Sequence, residues 1–461
     1  KNIYNLRRNH MPFNRNLLST TLLYCLVFAP NVQAANWLQL EGTEAANVEA
    51  VTFFGFIQGQ YQANKSNPIG TLQGAAAPYS GRDPVFNLVG PDLNTTSQAQ
   101  IFRARPGVRG VVPNTNNKIN YFLLGELSNN GATISSRPIL TDASITLNHI
   151  PGARVRVGVF KAPTGEEALI PVNAMDYLNF STMTDNLLNE RFVKTHYSVV
   201  GRTDFTPAAG LTKADLNGNF SAFRDTGIQI FDWFNVSNKW ELGYAAMLSR
   251  GNGTDWSDRD SNLDTTVRLQ ASYLLNPASK GAKREDITIY GWKQDGKREF
   301  SGQNYDRGRN GFGATYRQNK IRAGAEFISG KGMIYYGPNI PFNDLGGSAQ
   351  LPTQTVDLAG EANGYALDIG YNIFNKTWLN ARYDAYNRST ENAALRRDFS
   401  TLTTGIQYNF SPTLRLDANY EFREMSVPNP EALTAGAPRN NAIMIANNMA
   451  DRWGVQLTWL Y

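Results

Sequence analysis

The chain has 461 residues, is 41% hydrophobic and 18% charged, and its mean hydropathy of -0.39 hides apolar residues that are dispersed rather than gathered into long helical spans. Its formal charge of +5 suggests an acidic partner, but four of the 44 basic residues and none of the 39 acidic ones lie in the first 34 positions, leaving 40 against 39 beyond them. That balance removes the main support for nucleic-acid binding.

Lys1, Arg7, Arg8 and Arg15 precede the apolar run Leu17–Phe28, and Val32-Gln33-Ala34 follows before Ala35. This order is that of a secretory signal, with Met11 as its start and cleavage expected after Ala34. Cys25, the single cysteine, falls inside this leader, so residues 35–461 carry no thiol for a disulfide, an iron–sulfur cluster or a thiolate zinc site. Residues 35–50 read as a polar periplasmic lead-in, and residues 51–461 as one all-β unit.

Val51–Gln62 is the first strand candidate, followed by a Gly-, Pro- and Asn-rich loop over Asn64–Gln98. Gln100–Val112 then sets Phe102, Ala104, Pro106 and Val108 against Arg103, Arg105, Gly107 and Arg109. A strand with an apolar face and an arginine face suits a barrel wall, with lipid on one side and a wet lumen on the other. Pro106 sits mid-strand, where proline marks an edge strand or a bulge that would change which of Arg103, Arg105 and Arg109 point inward, but the alternation survives on both sides and the strand is kept.

The same alternation recurs in Lys118–Ser128, in Thr141–His149, and in Ala153–Lys161, where Val155, Val157 and Val159 oppose Arg154, Arg156 and Gly158. A long interruption, Ala162–Phe223, contains a helix-spaced part at Met175–Phe192 and a short strand candidate at Tyr197–Arg202. Further strands are expected at Thr226–Phe234, Lys239–Ser249, Asn262–Leu275, Asp286–Lys293, Gly311–Gln318, Ile321–Ser329, Asn363–Ile373, Thr377–Asn387, Phe399–Phe410 and Thr413–Arg423. The chain closes on DRWGVQLTWLY, an amphipathic strand with an aromatic end. The total is about sixteen strands, an even number in the porin range, and short turns alternate with long loops as in outer-membrane barrels. The fold expected is therefore a transmembrane antiparallel β-barrel of about sixteen strands.

The motifs FRARPGVRG (Phe102–Gly110), VRVGVFKAPTGEE (Val155–Glu167) and FRDTGIQ (Phe223–Gln229) resemble those of the phosphate-selective porin O and P family. The resemblance covers under a third of the chain. It implies a sixteen-stranded homotrimer in the outer membrane, with the third loop folded inward to narrow the channel. It also implies that Arg103, Arg105 and Lys161 guide small anions. Alternation adds Arg109, Arg154 and Arg156 to that set.

A guanidinium presents several fixed donors to an oxyanion, and a row of them on a narrow wall lets ions pass from site to site. The opposing reading is a mixed, solvated lumen, since Glu126, Asp142, Glu241, Asp264, Glu326, Asp384, Asp417 and Glu421 also fall on the inward side. The expected function is passive diffusion of small hydrophilic solutes, with a preference for phosphate-like anions. Lipid and lipopolysaccharide are the expected surroundings. Alternatives are a non-selective general porin, or a barrel sheathing a partner such as a multihaem electron conduit. Asp258, Asp260, Asn262 and Asp264 mimic a calcium loop but lack its glycine and final glutamate, as Leu263 and Leu269 stand there. His149 and His196 are the only histidines beyond the leader, and no catalytic or haem-attachment motif occurs, so neither an enzyme nor a cofactor is expected.

Overall fold

Alternation of this kind has one stable outcome at membrane depth: a sheet whose every backbone group is paired, with no edge left over. The computed structural model shows that outcome, a closed barrel of sixteen antiparallel strands. It describes residues 49–461 apart from 66–68, 75–76, 78–79, 82–96, 117, 129–137, 190, 193–196, 200–218, 221–222, 255–259, 280–283, 301–302 and 338–353. The proposed leader, most of the lead-in, and His196 lie outside the described residues.

The strands are β1 (Thr52–Asn64), β2 (Ser97–Val111), β3 (Ile119–Glu126), β4 (Ile139–Ile150), β5 (Ala153–Lys161), β6 (Arg224–Asn235), β7 (Trp240–Ser249) and β8 (Asp264–Asn276). The second half comprises β9 (Glu285–Phe300), β10 (Gln303–Gln318), β11 (Ile321–Lys331), β12 (Glu361–Phe374), β13 (Thr377–Arg388), β14 (Arg397–Ser411), β15 (Leu414–Ser426) and β16 (Arg452–Leu460). Each strand pairs with its sequence neighbours, and β16 returns to β1. Tyr461 extends that seam by exchanging backbone hydrogen bonds with Gly55 at 2.9 and 3.0 Å.

Outward positions form an aliphatic band that includes Ile145, Val157, Ile230, Leu269, Ile289 and Leu367, all exposed. Near the short turns it gives way to aromatics, among them Phe53, Phe234, Trp240, Phe374, Phe410 and Trp459. Aliphatic centre and aromatic rim are the composition a lipid bilayer selects. The chain is an outer-membrane barrel.

Two sequence expectations need correction, and the option of a bulge in β2 needs placing. The bulge of β2 is not at Pro106. Gln58 pairs with Arg103 and Gly59 with Ile101, so Phe102 is the extra residue, while Pro106 sits in register opposite Gly55. Pro106 is tolerated because the β2–β3 ladder begins only at Gly107. Beyond it, the Glu126 carboxylate replaces a strand partner and accepts from the Ala104 N–H at 2.9 Å.

Second, the gap left between the expected strands Asp286–Lys293 and Gly311–Gln318 is strand up to Phe300 and again from Gln303. The β9–β10 hairpin continues to Phe300 and Gln303. Its upper part carries no outward apolar face; an exposed Lys293–Asp295 pair at 2.6 Å stands there instead.

Third, most of Met175–Phe192 is not helical. Only α2 (Thr182–Leu187) forms there, with α1 (Glu166–Leu169) earlier in the same loop. Wall side chains take the intervening backbone groups: Asn419 accepts from the Leu178 N–H at 2.7 Å, and Arg415 donates to the Met175 carbonyl at 2.8 Å. The expected strand Tyr197–Arg202 is seen only as Tyr197–Val199, paired with Gln354–Asp357, and the rest of it is outside the described residues.

Gly158, within the VRVGVFK motif, has φ +135°, and a Cβ there would lie 2.0 Å from the Ala143 carbonyl oxygen. Gly158→Val therefore forces β4 and β5 apart, an expected loss of about 2–3 kcal/mol or more from strain alone. The check is the heat-resistant barrel band on denaturing gels, which should vanish at a lower temperature than for the unaltered chain.

Candidate functional site

The residues from 162 to 189 connect β5 to the rest of the third long loop, and their partners come from strands all round the barrel. Gln58 of β1 donates to the Val172 carbonyl at 3.4 Å, and Arg268 of β8 donates to the Thr164 carbonyl at 2.5 Å. The Glu326 carboxylate of β11 accepts from the Glu166 N–H at 3.1 Å, and that of Asp384 of β13 accepts from the Thr182 N–H at 2.7 Å. A segment bonded to opposite walls of a closed sheet lies across its interior. Ser181 caps α2 through its hydroxyl, which accepts from the Thr184 N–H at 3.3 Å, and Glu167 in turn accepts from the Ser181 N–H at 2.9 Å.

Two kinds of contact hold the segment. On one side an apolar cluster joins Ala168, Met183, Leu187 and Leu188 to Tyr290, Trp292, Ile328 and Tyr386 of the inner wall. Burial of this size contributes on the order of 25 cal/mol per Å2 of apolar surface removed from water. Elsewhere arginines do the holding. Arg268 meets Glu166 at 3.0 Å, Arg317 meets the same carboxylate at 3.3 Å, Arg322 meets Asp176 at 2.8 Å, and Arg382 meets Glu167 at 2.7 Å.

Of these groups only Arg268 and Arg382 are nearly sealed from solvent, their side chains 1% and 4% exposed; Glu166 keeps 10%, Arg317 and Arg322 14%, Glu167 17% and Asp176 22%. Arg322 also stacks on Trp378, its guanidinium carbon 3.8 Å from the ring centroid.

The arginines and the lysine singled out in the sequence separate into distinct roles. Arg103 and Arg105 lie on the inner face of β2, both buried. Arg105 is locked to Glu126 at 2.7 Å, whereas Arg103 donates to the neutral Gln58 side chain at 2.8 Å and stacks 4.3 Å above Phe102. Lys161 is buried and donates to the carbonyls of Leu169 and Ile170 at 3.2 and 2.9 Å, so it fastens the end of α1. Arg156 is buried against Phe231 at 4.6 Å. Arg154 is drawn to Asp232 at 3.1 Å beside Trp233, and Arg109, half-buried, lies 5.4 Å from the Phe54 centroid near the short-turn end.

The eight acids expected inward are all buried on the inner side, so the lumen carries both signs. Sequence reasoning missed Arg268, Arg317, Arg322, Arg382 and Arg415, which contact the inner segment. Period-two alternation along Asn262–Leu275 and Thr413–Arg423 puts Arg268 and Arg415 on an inner face, but nothing local marks their partners. His149 is exposed, and among the described residues no group of three or more His, Cys, Asp or Glu is placed to hold a metal ion.

No family profile matches the chain, and no relative is detected by sequence among characterised proteins. Solved structures do share its shape. The outer membrane channel DcaP of Acinetobacter baumannii superposes with a TM-score of 0.51 at 10% identity, covering 92% of this chain and 100% of that one. An anion-selective porin from Comamonas acidovorans gives a TM-score of 0.48 at 13% identity over 89% of this chain and 99% of its own. The trimer form of OmpT, an outer membrane protein of Vibrio cholerae, gives 0.49 at 10% identity over 89% and 99%.

Proposed function

We propose that this outer-membrane barrel is a porin, giving passive diffusion to small hydrophilic solutes and preferring anions of phosphate-like size and charge. The observation that carries this reading is the arc of guanidinium groups along one side of the inner segment: Arg268, Arg317, Arg322 and Arg382 come from four different strands and converge on one short stretch of chain. Arg317 and Arg322 keep 14% of their side chains exposed to a passing anion, and their pairing with carboxylates keeps its capture weak enough for release. Arg103, held by a neutral amide, adds positive potential on the opposite wall.

A non-selective porin is the second reading, favoured by the inward acids that balance much of this charge. A sheath around a folded partner is disfavoured, because residues 162–189 occupy the interior such a partner would need. The reading includes export by a cleaved leader, assembly as a homotrimer, and lipid and lipopolysaccharide as surroundings.

Liposome swelling tests it. Proteoliposomes should swell in isosmotic small solutes and faster with an anionic solute than with a neutral one of equal size. Equal or slower anion entry would remove the preference, and no swelling at all would remove the porin.

A further inference from the structure

Arg309 of β10 is 1% exposed, and its three nitrogens reach two different loops. Its Nε donates to the carbonyl of Leu187, the last residue of α2, at 2.9 Å. Its Nη1 and Nη2 donate to the Gly332 and Met333 carbonyls, each at 2.9 Å, where β11 gives way to the sixth long loop. A helix end leaves carbonyls without intrahelical partners, and a guanidinium is shaped to collect several acceptors at once. One side chain therefore ties the end of the inner segment to the start of an outer loop.

Both ends of that tie are closely built. A Cβ on Gly330 of β11 would lie 2.9 Å from Leu187 Cδ2 and 3.0 Å from Arg309 Cδ, so α2 sits flush on the wall. Gly332 has φ +72°, and a Cβ there would fall 1.9 Å from the Asp306 carbonyl oxygen, so the sixth loop starts pressed onto β10. Ile334, two residues on, packs into the same apolar cluster as Met183, Leu187 and Leu188. Farther out, Ile334–Gly337 pairs with Gln354–Asp357, which pairs in parallel with Tyr197–Val199 of the third loop. Met333, Tyr335, Val356 and Leu358 bury an apolar patch beside Tyr305 there.

We infer that Arg309 is a positioning residue for passage through the lumen, and that the sixth loop, by way of Arg309 and Ile334, sets where the end of the inner segment lies. The inference rests on the porin reading, in which residues 162–189 narrow the channel. Arg268, Arg317, Arg322 and Arg382 hold the acids of that segment, whereas Arg309 holds its backbone at the far end. Flow through the lumen is thereby coupled to a loop on the outer side of the barrel.

Single-channel recording of the purified barrel in a planar bilayer tests this. Arg309→Gln should give conductance steps larger by roughly half again or more, as the end of α2 comes off the wall. Gly332→Val alters no residue of the inner segment and none of the arginines that hold it, yet it lifts the sixth loop off β10, and the same rise is expected. Arg309→Lys keeps part of the tie and should raise the steps less. If one of the first two variants fails to give the heat-resistant barrel, the other decides; if both fail, Arg309→Lys does. Steps of unaltered or smaller size in the deciding variants overturn the inference, and a lowered melting temperature with unaltered steps overturns it equally, since that marks a purely structural arginine. A silent bilayer from the unaltered chain removes the porin reading, whereas steps that ignore these variants remove this inference alone.

Discussion

Arg382→Ala is expected to widen the channel and weaken the protein together. Its guanidinium meets Glu167 at 2.7 Å and Asp384 at 3.6 Å and donates to the Asn179 carbonyl at 3.1 Å, with only 4% of the side chain exposed. Removing it leaves two carboxylates without their cation and frees the middle of the inner segment. Breaking a buried ion pair from one side costs about 3–5 kcal/mol, because the remaining charge keeps its desolvation penalty. Single-channel conductance should rise by roughly twofold or more as the constriction loosens, and the thermal unfolding midpoint should fall. Arg382→Lys should fall between, since an ammonium can reach one carboxylate but cannot fork across several acceptors. A folded Arg382→Ala barrel with unaltered conductance would show that residues 162–189 do not limit flow.

The second large effect separates two neighbouring arginines that sequence alone treats alike. Arg105 and Glu126 form a pair whose side chains are 2% and 0% exposed, so Arg105→Ala strands a buried carboxylate at about 3–5 kcal/mol. Arg103→Ala removes a hydrogen bond to a neutral amide, a loss of about 1 kcal/mol. Thermal melts should therefore show a large drop for Arg105→Ala and a small one for Arg103→Ala. The zero-current potential should nevertheless move toward cations in Arg103→Ala, because that variant deletes a lumen charge without disturbing a salt bridge. A steep stability loss in Arg103→Ala, or no movement of its potential, would contradict these roles.

The barrel was largely legible in the chain because lipid imposes a rule on every second residue. In β15, Leu414, Leu416, Ala418, Tyr420 and Phe422 announce one face, while Arg415, Asp417, Asn419, Glu421 and Arg423 announce the other, and those five are buried in the lumen. Legibility fails where the rule lapses. In the upper β9–β10 hairpin, exposed Asp295, Lys297 and Glu299 give no apolar stripe to read. Pro106 raised the option of a bulge in β2, yet the slip is at Phe102, because register depends on the partner strand and not on one residue's propensity.

The inner segment was least legible. Its form depends on pairs such as Arg382 with Glu167 and Arg415 with Met175, more than two hundred positions apart in the chain, and a linear reading cannot match them. Lys161 shows the consequence. Its place before the third loop suggested an anion guide, and its ammonium also donates to the carbonyls that end α1, a contact the linear sequence does not show. Helix α3 (Ala437–Ala446) was missed although Gly436 and Pro438 mark its start in the way that glycine and proline often do.

The zero-current potential of the purified barrel in a planar bilayer, under a potassium chloride gradient, tests the account most directly. Discrete conductance steps with a potential of the sign set by chloride are predicted. Steps with a potential of the sign set by potassium would contradict the role given to the lumen arginines, and a bilayer that stays silent would contradict the channel itself.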